Sequence, residues 1–215
     1  MNNAAGAVYE LKGLVKKILF HLRSDGFKEY HHFPFDTYAA MPSSATDDLD
    51  RLLSILEAKK LERVRISDGT LLGLAREGAL IKHDTDLDFD VIDTPEYEIR
   101  TLAEEQGWVL GREVRYNSVV QQLTYYNSSN LIIDFVFWYA NGKFAVNYSE
   151  RNYMRVQPLD FFIETEIQKF GGTAWRVPSD LNGWLEYRYG KSWCIPAGAK
   201  GDWKAECGDL IYIGR

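Results

Sequence analysis

The segment His83-Asp84-Thr85-Asp86-Leu87-Asp88-Phe89-Asp90-Val91 sets four carboxylates at every second position, with Leu87, Phe89 and Val91 between them. A β-strand has a side-chain period of two, so the acids would share one face while the apolar set turns to a core. Four like charges on one face repel unless cations neutralise them or water screens them. An ordinary solvated acidic face is the plain alternative. A calcium loop of the EF-hand type is a second, because Asp84, Asp86 and Asp88 match its first three ligand positions. That loop needs Gly where Phe89 stands and Glu where Pro95 stands, so it is set aside.

The residues upstream give the acids a chemical context. A short strand over Arg63 to Ser67 leads into Asp68-Gly69-Thr70-Leu71-Leu72-Gly73, a turn that opens a short helix through Leu74. A glycine at a strand-to-helix turn lets backbone N–H groups and the Thr70 hydroxyl come close to a phosphate, and Asp86 with Asp88 could hold magnesium against that phosphate. A tight turn with no ligand is the bland reading of the same residues. Asp134 stands alone among Leu131-Ile132-Ile133 and Phe135-Val136-Phe137-Trp138-Tyr139. An unpaired carboxylate inside such a strand is costly, so it requires a metal or a structural partner such as Arg or Tyr. His31 and His32 are neighbours with no further ligand at suitable spacing, and a metal role for them is set aside.

Other elements must position these groups. A helix starts at Thr46, with Asp47 and Asp48 in its first turn and Leu49, Leu52, Leu53, Ile55 and Leu56 on its buried face. Strand alternation covers Asp86 to Ile92, and a helix runs from Pro95 to about Gln106. Further strands are predicted at Trp108 to Val114, Val119 to Tyr126 and Leu131 to Tyr139, the last entering an Asn141-Gly142 hairpin with a return at Lys143 to Asn147. A helix is predicted from Ser179 to Tyr189, stopped by Gly190. Val8 to Leu22 reads as an amphipathic helix with a basic polar face, packed on a core or partner in preference to a membrane surface. Phe27 to Ser44 reads as an irregular surface loop. Strands and helices mix without strict alternation, so the class is α+β in a single domain spanning 1–215, with a helical N-terminal segment (1–60) ahead of a core over 63–196.

The chain has 215 residues, 46% hydrophobic and 26% charged, enough for one packed domain. A net charge of −6 gives no long-range attraction for nucleic acid. Two cysteines, Cys194 and Cys207, imply free thiols. No signal pattern and no apolar run of spanning length is visible, so cytoplasmic residence is expected, with peripheral membrane contact left open.

Two ordered motifs carry a family resemblance. The first is Gly69-Thr70-Leu71-Leu72-Gly73-Leu74-Ala75-Arg76, followed by Glu77 to Ile81 and by Asp84-Thr85-Asp86-Leu87-Asp88. The second is Val177-Pro178-Ser179-Asp180, followed by Trp184-Leu185, Tyr189-Gly190, Trp193 and Pro196. Together they resemble the LicD family, which includes the fukutin-type phosphotransferases, within the polymerase-β-like nucleotidyltransferase superfold. The chain departs from the family at Lys82-His83, where Pro-Trp is common, and at Thr85, where an acid is common. The resemblance implies a small mixed β-sheet flanked by helices and a phosphotransferase that moves a phosphoalcohol from a CDP-linked donor, such as CDP-choline, CDP-ribitol or CDP-glycerol, to a hydroxyl of a glycan or glycolipid. On that basis Asp86 and Asp88 would bind Mg2+ or Mn2+, and Asp134 would complete the metal site or take the acceptor's proton. Gly69 and Thr70 would cradle phosphate, and Arg76 or Lys82 would add positive charge, although Arg76 could instead pair with Asp84 or Glu77. His83 could assist proton transfer or cap the strand. Two alternatives use the same residues: a nucleotidyltransferase acting on a nucleoside triphosphate, and an inert binding domain of the same fold.

Overall fold

The structure is a computed structural model that describes residues 26–32, 40–170, 173–196 and 208–213. In chain order the strands are β1 (Phe27–His31), β2 (Val64–Ile66), β3 (Asp86–Ile92), β4 (Val109–Tyr116), β5 (Val119–Tyr126), β6 (Ile132–Asn141), β7 (Phe144–Asn147), β8 (Tyr153–Pro158), β9 (Thr165–Phe170), β10 (Thr173–Pro178) and β11 (Leu210–Tyr212). The helices are α1 (Ala45–Ala58), α2 (Asp68–Glu77), α3 (Glu96–Glu105), α4 (Asp160–Ile163) and α5 (Leu181–Tyr189). The class is mixed α+β, as the sequence predicts.

One nine-stranded sheet organises the described residues. Its path runs β1-β4-β5-β6-β7-β8-β11, and β3 branches from β6 with β2 on its outer side. The branch point is β6. Ile132 to Trp138 pair parallel with β3, Ile132 to Val136 also pair antiparallel with β5, and its last three residues pair with β7 instead. A parallel pair cannot be closed by a tight turn, so the chain leaves β3 through α3, β4 and β5 before returning as β6. That crossover seats Asp134 directly opposite Asp88.

The alternation read from the sequence decides which face is dry. Leu87, Phe89 and Val91 are fully buried against Leu49 and Leu52 of α1, Ile99 and Leu102 of α3, and Phe135 and Phe137 of β6. Phe89 and Phe135 sit opposite each other in the parallel ladder, and their rings stack at 5.5 Å. Helices α1 and α3 therefore cover one face of β3 and β6, and the acids line the other.

Several expectations change. Phe27–His31 is a strand, not a surface loop, and it pairs antiparallel with β4. Its side chains carry little hydrophobic alternation, because backbone pairing to a neighbouring edge holds it in place. Helix α1 begins at Ala45, and Ser44 Oγ donates to Asp48 Oδ2 at 2.9 Å. Val177-Pro178 ends β10, paired with Glu166 and Thr165 of β9, and α5 follows it as predicted but starts at Leu181, after Asp180, whose carboxylate accepts from Gly183 N at 2.9 Å. Strands β8, β9, β10 and β11 were not predicted. The helix expected over 8–22 and Cys207 lie outside the described residues, and Cys194 is a free, exposed thiol. No helix among the described residues is long and apolar enough to cross a membrane.

Candidate active site

The site is assembled where β3 meets the β2–α2 turn. Asp86 and Asp88 project from the polar face of β3, and Asp84 lies two residues ahead of Asp86. One carboxylate oxygen from each of Asp84, Asp86 and Asp88 lies within 4.8 Å of the other two. The turn is stitched to the strand: Ser67 N donates to Asp88 O at 3.0 Å, Gly69 N to Asp88 Oδ2 at 2.9 Å, and Asp88 N to Thr70 Oγ1 at 2.8 Å. Residue 69 must be glycine for this closeness, because a Cβ there would sit 2.3 Å from Asp84 Oδ2 and 3.3 Å from Asp88 Oδ2. Asp134 faces Asp88 from β6. Gln122 Nε2 donates to its Oδ2 at 2.8 Å, and the Thr124 hydroxyl donates to its Oδ1.

Next to the acids lies a locked ion network. Arg155 donates from both Nη atoms to Asp68 at 3.0 Å, Arg188 Nε donates to Asp68 Oδ1 at 2.8 Å, and Arg155 Nε donates to Asp209 Oδ2 at 3.1 Å. Asp68 holds a left-handed φ of 38°, a conformation Asp tolerates better than most residues and that persists when the surroundings fix it. The two guanidiniums supply that fixation.

The electrostatics divide into two zones. Burial alone would raise the Asp68 carboxyl, but Arg155 and Arg188 overcome it and hold Asp68 well below the ordinary carboxylate range. Asp86 and Asp88 move the other way. Burial comes first, then repulsion from neighbouring carboxylates, Asp134 for Asp86 and Asp86 for Asp88, and both groups rise well above the usual value. Asp84 rises too, chiefly through burial. Burial raises Asp134 against the opposing pull of the Thr124 hydroxyl, Arg112 and Gln122. Burial and mutual repulsion therefore disfavour simultaneous ionisation of Asp86 and Asp88.

A cavity of about 420 Å³ opens over these groups, with Asp84, Asp86, Asp88 and Asp134 on one side and Arg155, Arg188 and Tyr189 on another. A second recess of about 290 Å³ shares Asp86, Asp134 and Arg112 with it and adds Glu29, His31 and Thr124.

The structure therefore places Asp86 and Asp88 in one carboxylate cluster, while Asp134, expected to share their metal, faces Asp88 across the ladder and lines the same cavity but lies outside that cluster. Asp84 joins the cluster. Asp90, on the same face of β3, is drawn away into a buried pair with Arg65 at 2.9 Å and accepts from Trp138 Nε1 at 2.7 Å. Gly69 and Thr70 are at the site, but the hydrogen bonds they make go to Asp88, and Thr70 is fully buried. Arg76 pairs with Glu77 at 2.5 Å, and neither Arg76 nor the exposed Lys82 lines the cavity. His83 is exposed, and His31 lies 3.3 Å from Glu29 in the second recess. Arg112, Gln122, Arg155, Arg188 and Asp209 were missed by sequence reasoning. Strand alternation in β4 and β5 could have pointed to Arg112, Gln122 and Thr124, whereas nothing local marks Arg155 or Asp209.

The donor set fits a hard divalent cation. Carboxylate oxygens suit Mg2+ or Mn2+, and three of them lie within 4.8 Å of one another, where burial and mutual repulsion favour a positive charge among them. Fold and site thus define an α+β protein with a carboxylate-lined cavity. No protein-family model matches the chain, and no curated protein matches it. Among solved structures it is similar to the lincosamide antibiotic adenylyltransferase LnuA in its lincomycin-bound crystal structure, with a TM-score of 0.47 and 12% identity over 68% of this chain and 86% of that one. A likeness at this level assigns neither a fold family nor an activity.

Proposed function

We propose that this chain is a divalent-metal-dependent transferase of the polymerase-β-like nucleotidyltransferase type, acting at a phosphate of a nucleotide-linked donor. The observation that carries the reading is the convergence of Asp84, Asp86 and Asp88 within 4.8 Å beside Asp134, at the wall of a cavity of about 420 Å³. Asp84, Asp86 and Asp88 would hold Mg2+ or Mn2+, which when bound neutralises charge on the phosphates during transfer. An acceptor hydroxyl forms the new O–P bond while the bond from phosphorus to the leaving group breaks. Catalysis of this kind rests on positioning and charge neutralisation. Asp134 suits the acceptor's proton, because Gln122 and Thr124 fix its carboxylate beside the metal-binding trio without filling every lone pair.

Two donors are compatible with this chemistry. A nucleoside triphosphate attacked at its α-phosphate releases pyrophosphate, and a CDP-linked alcohol attacked at the alcohol-bearing phosphate releases CMP. The second, the LicD-type reaction with a glycan acceptor, is supported by Tyr189 of the closing motif, which lines the same cavity as Gly69 and Asp88 of the first motif. Incubation with Mn2+ or Mg2+ and a panel of nucleoside triphosphates and CDP-alcohols, scoring pyrophosphate against CMP, separates the two. Metal binding with no turnover of any donor would favour an inert binding domain, and absence of metal binding would overturn the reading.

A further inference from the structure

Directly opposed residues on neighbouring strands put their side chains on one face of a sheet. Following the registers outward from the acids, Asp88 faces Asp134, Asp134 faces Thr124, Thr124 faces Arg112, and Arg112 faces His31. A single lateral row across five strands therefore runs from the metal-binding acids to a guanidinium, and Arg112 lines both the main cavity and the second recess.

Arg112 differs from the other arginines of the site. Arg155 and Arg188 are 4% exposed and clamped by Asp68 and Asp209. Arg112 is 20% exposed, and its Nε donates to Glu29 Oε1 at 2.6 Å. Among the described residues no hydrogen bond occupies its Nη atoms. Glu29 thus grips the guanidinium through Nε from the β1 side, while Arg112 lines the cavity together with Asp134. A fixed, planar fork of N–H donors next to a cation site is suited to the non-bridging oxygens of a phosphate that the cation also touches.

The geometry points to Arg112 as a donor-phosphate-binding residue of the active site, oriented by Glu29 of β1. This rests on the transferase reading above. The role is distinct from serving as counter-charge to Asp134, because the two make opposite predictions. Removing a cation beside clustered acids strengthens binding of a metal ion, whereas removing a phosphate ligand weakens binding of an anion.

The test measures Mn2+ binding by electron paramagnetic resonance, and inorganic pyrophosphate binding to the Mn2+-saturated protein by calorimetry, in wild type, Arg112→Ala, Arg112→Lys and Glu29→Gln. In Arg112→Ala, Mn2+ affinity should hold or rise while pyrophosphate affinity falls by about tenfold or more, the loss expected for a charge-assisted hydrogen bond. Arg112→Lys should recover part of that affinity, and Glu29→Gln should weaken pyrophosphate less than Arg112→Ala does. Pyrophosphate affinity within about twofold of wild type in both Arg112 variants would overturn the inference, as would loss of Mn2+ binding in step with it. If wild type takes up no Mn2+, the transferase reading fails and this inference falls with it.

Discussion

Replacing Asp88 with Asn should make the metal-free protein more stable while removing its response to metal. Asp88 has carboxylate neighbours in Asp84 and Asp86, with ligand atoms within 4.8 Å. At an effective dielectric of about 20, two full charges at that separation repel by about 3.5 kcal/mol, so Asp88 carries roughly 7 kcal/mol of repulsion if all three are ionised. The folded protein already relieves most of this by holding protons, since burial and the neighbouring acids raise Asp88 and Asp86 well above the ordinary carboxylate value. A net gain of about 1–3 kcal/mol remains for the neutral isostere. For a chain of this length that gain is a melting-temperature rise of about 2–12 °C. Asn can keep the acceptor for Gly69 N through its carbonyl oxygen. The sign of the pH dependence follows from proton counting. Between the ordinary carboxylate pKa and the raised folded value the native state binds more protons than the unfolded chain. Wild-type metal-free stability therefore falls as pH rises through that window, and the variant's curve should be flatter. The assay is thermal unfolding in EDTA across pH 5–8, repeated with Mn2+. Wild type at a metal concentration 100 times its Kd should gain about 2.7 kcal/mol, and the variant much less. A lowered melting temperature in EDTA near pH 7.5, or an undiminished Mn2+ response, would refute the argument.

Three further changes test how the site is held. Gly69→Ala should fold, because the atom its methyl meets at 2.3 Å is the mobile end of Asp84, but displacing that carboxylate should weaken Mn2+ binding about tenfold or more by calorimetry. Thr70→Val removes the acceptor 2.8 Å from Asp88 N and should cost about 1–3 kcal/mol in denaturant unfolding, together with weaker metal binding. Asp209→Ala removes one of the two carboxylates that Arg155 and Arg188 share in a buried setting, so unfolding free energy should drop by about 3–5 kcal/mol; a loss under about 1 kcal/mol would show that the network is not under electrostatic demand. Because Arg155 and Arg188 hold Asp68 well below the usual range, the stability Asp68 contributes should persist through mildly acidic pH and disappear only under strongly acidic conditions.

The sequence by itself determined the inner part of this site. A period of two sends Leu87, Phe89 and Val91 to the core and Asp86, Asp88 and Asp90 to the opposite face, and the glycine-threonine turn before them fixes where a helix can start. The mixed α+β class, the hairpin at Asn141-Gly142 and the helix ending at Tyr189 were legible for the same reason: each rests on a pattern within about ten residues. Period alone could not say that Asp90 leaves the cluster to pair with Arg65 and Trp138, since it occupies the same face as Asp88. Nor could it place Phe27–His31 in a sheet, because an edge strand is held by backbone hydrogen bonds that any side chains permit. Which acid meets which cation was decided by the parallel register of β3 with β6, and by the packing of β8 and the Asp209 segment behind Asp68. Strand period fixes the face a residue takes from local stereochemistry, but register and ion pairing between distant segments depend on the core they jointly bury, so Arg155 and Asp209 reach the site through tertiary structure alone.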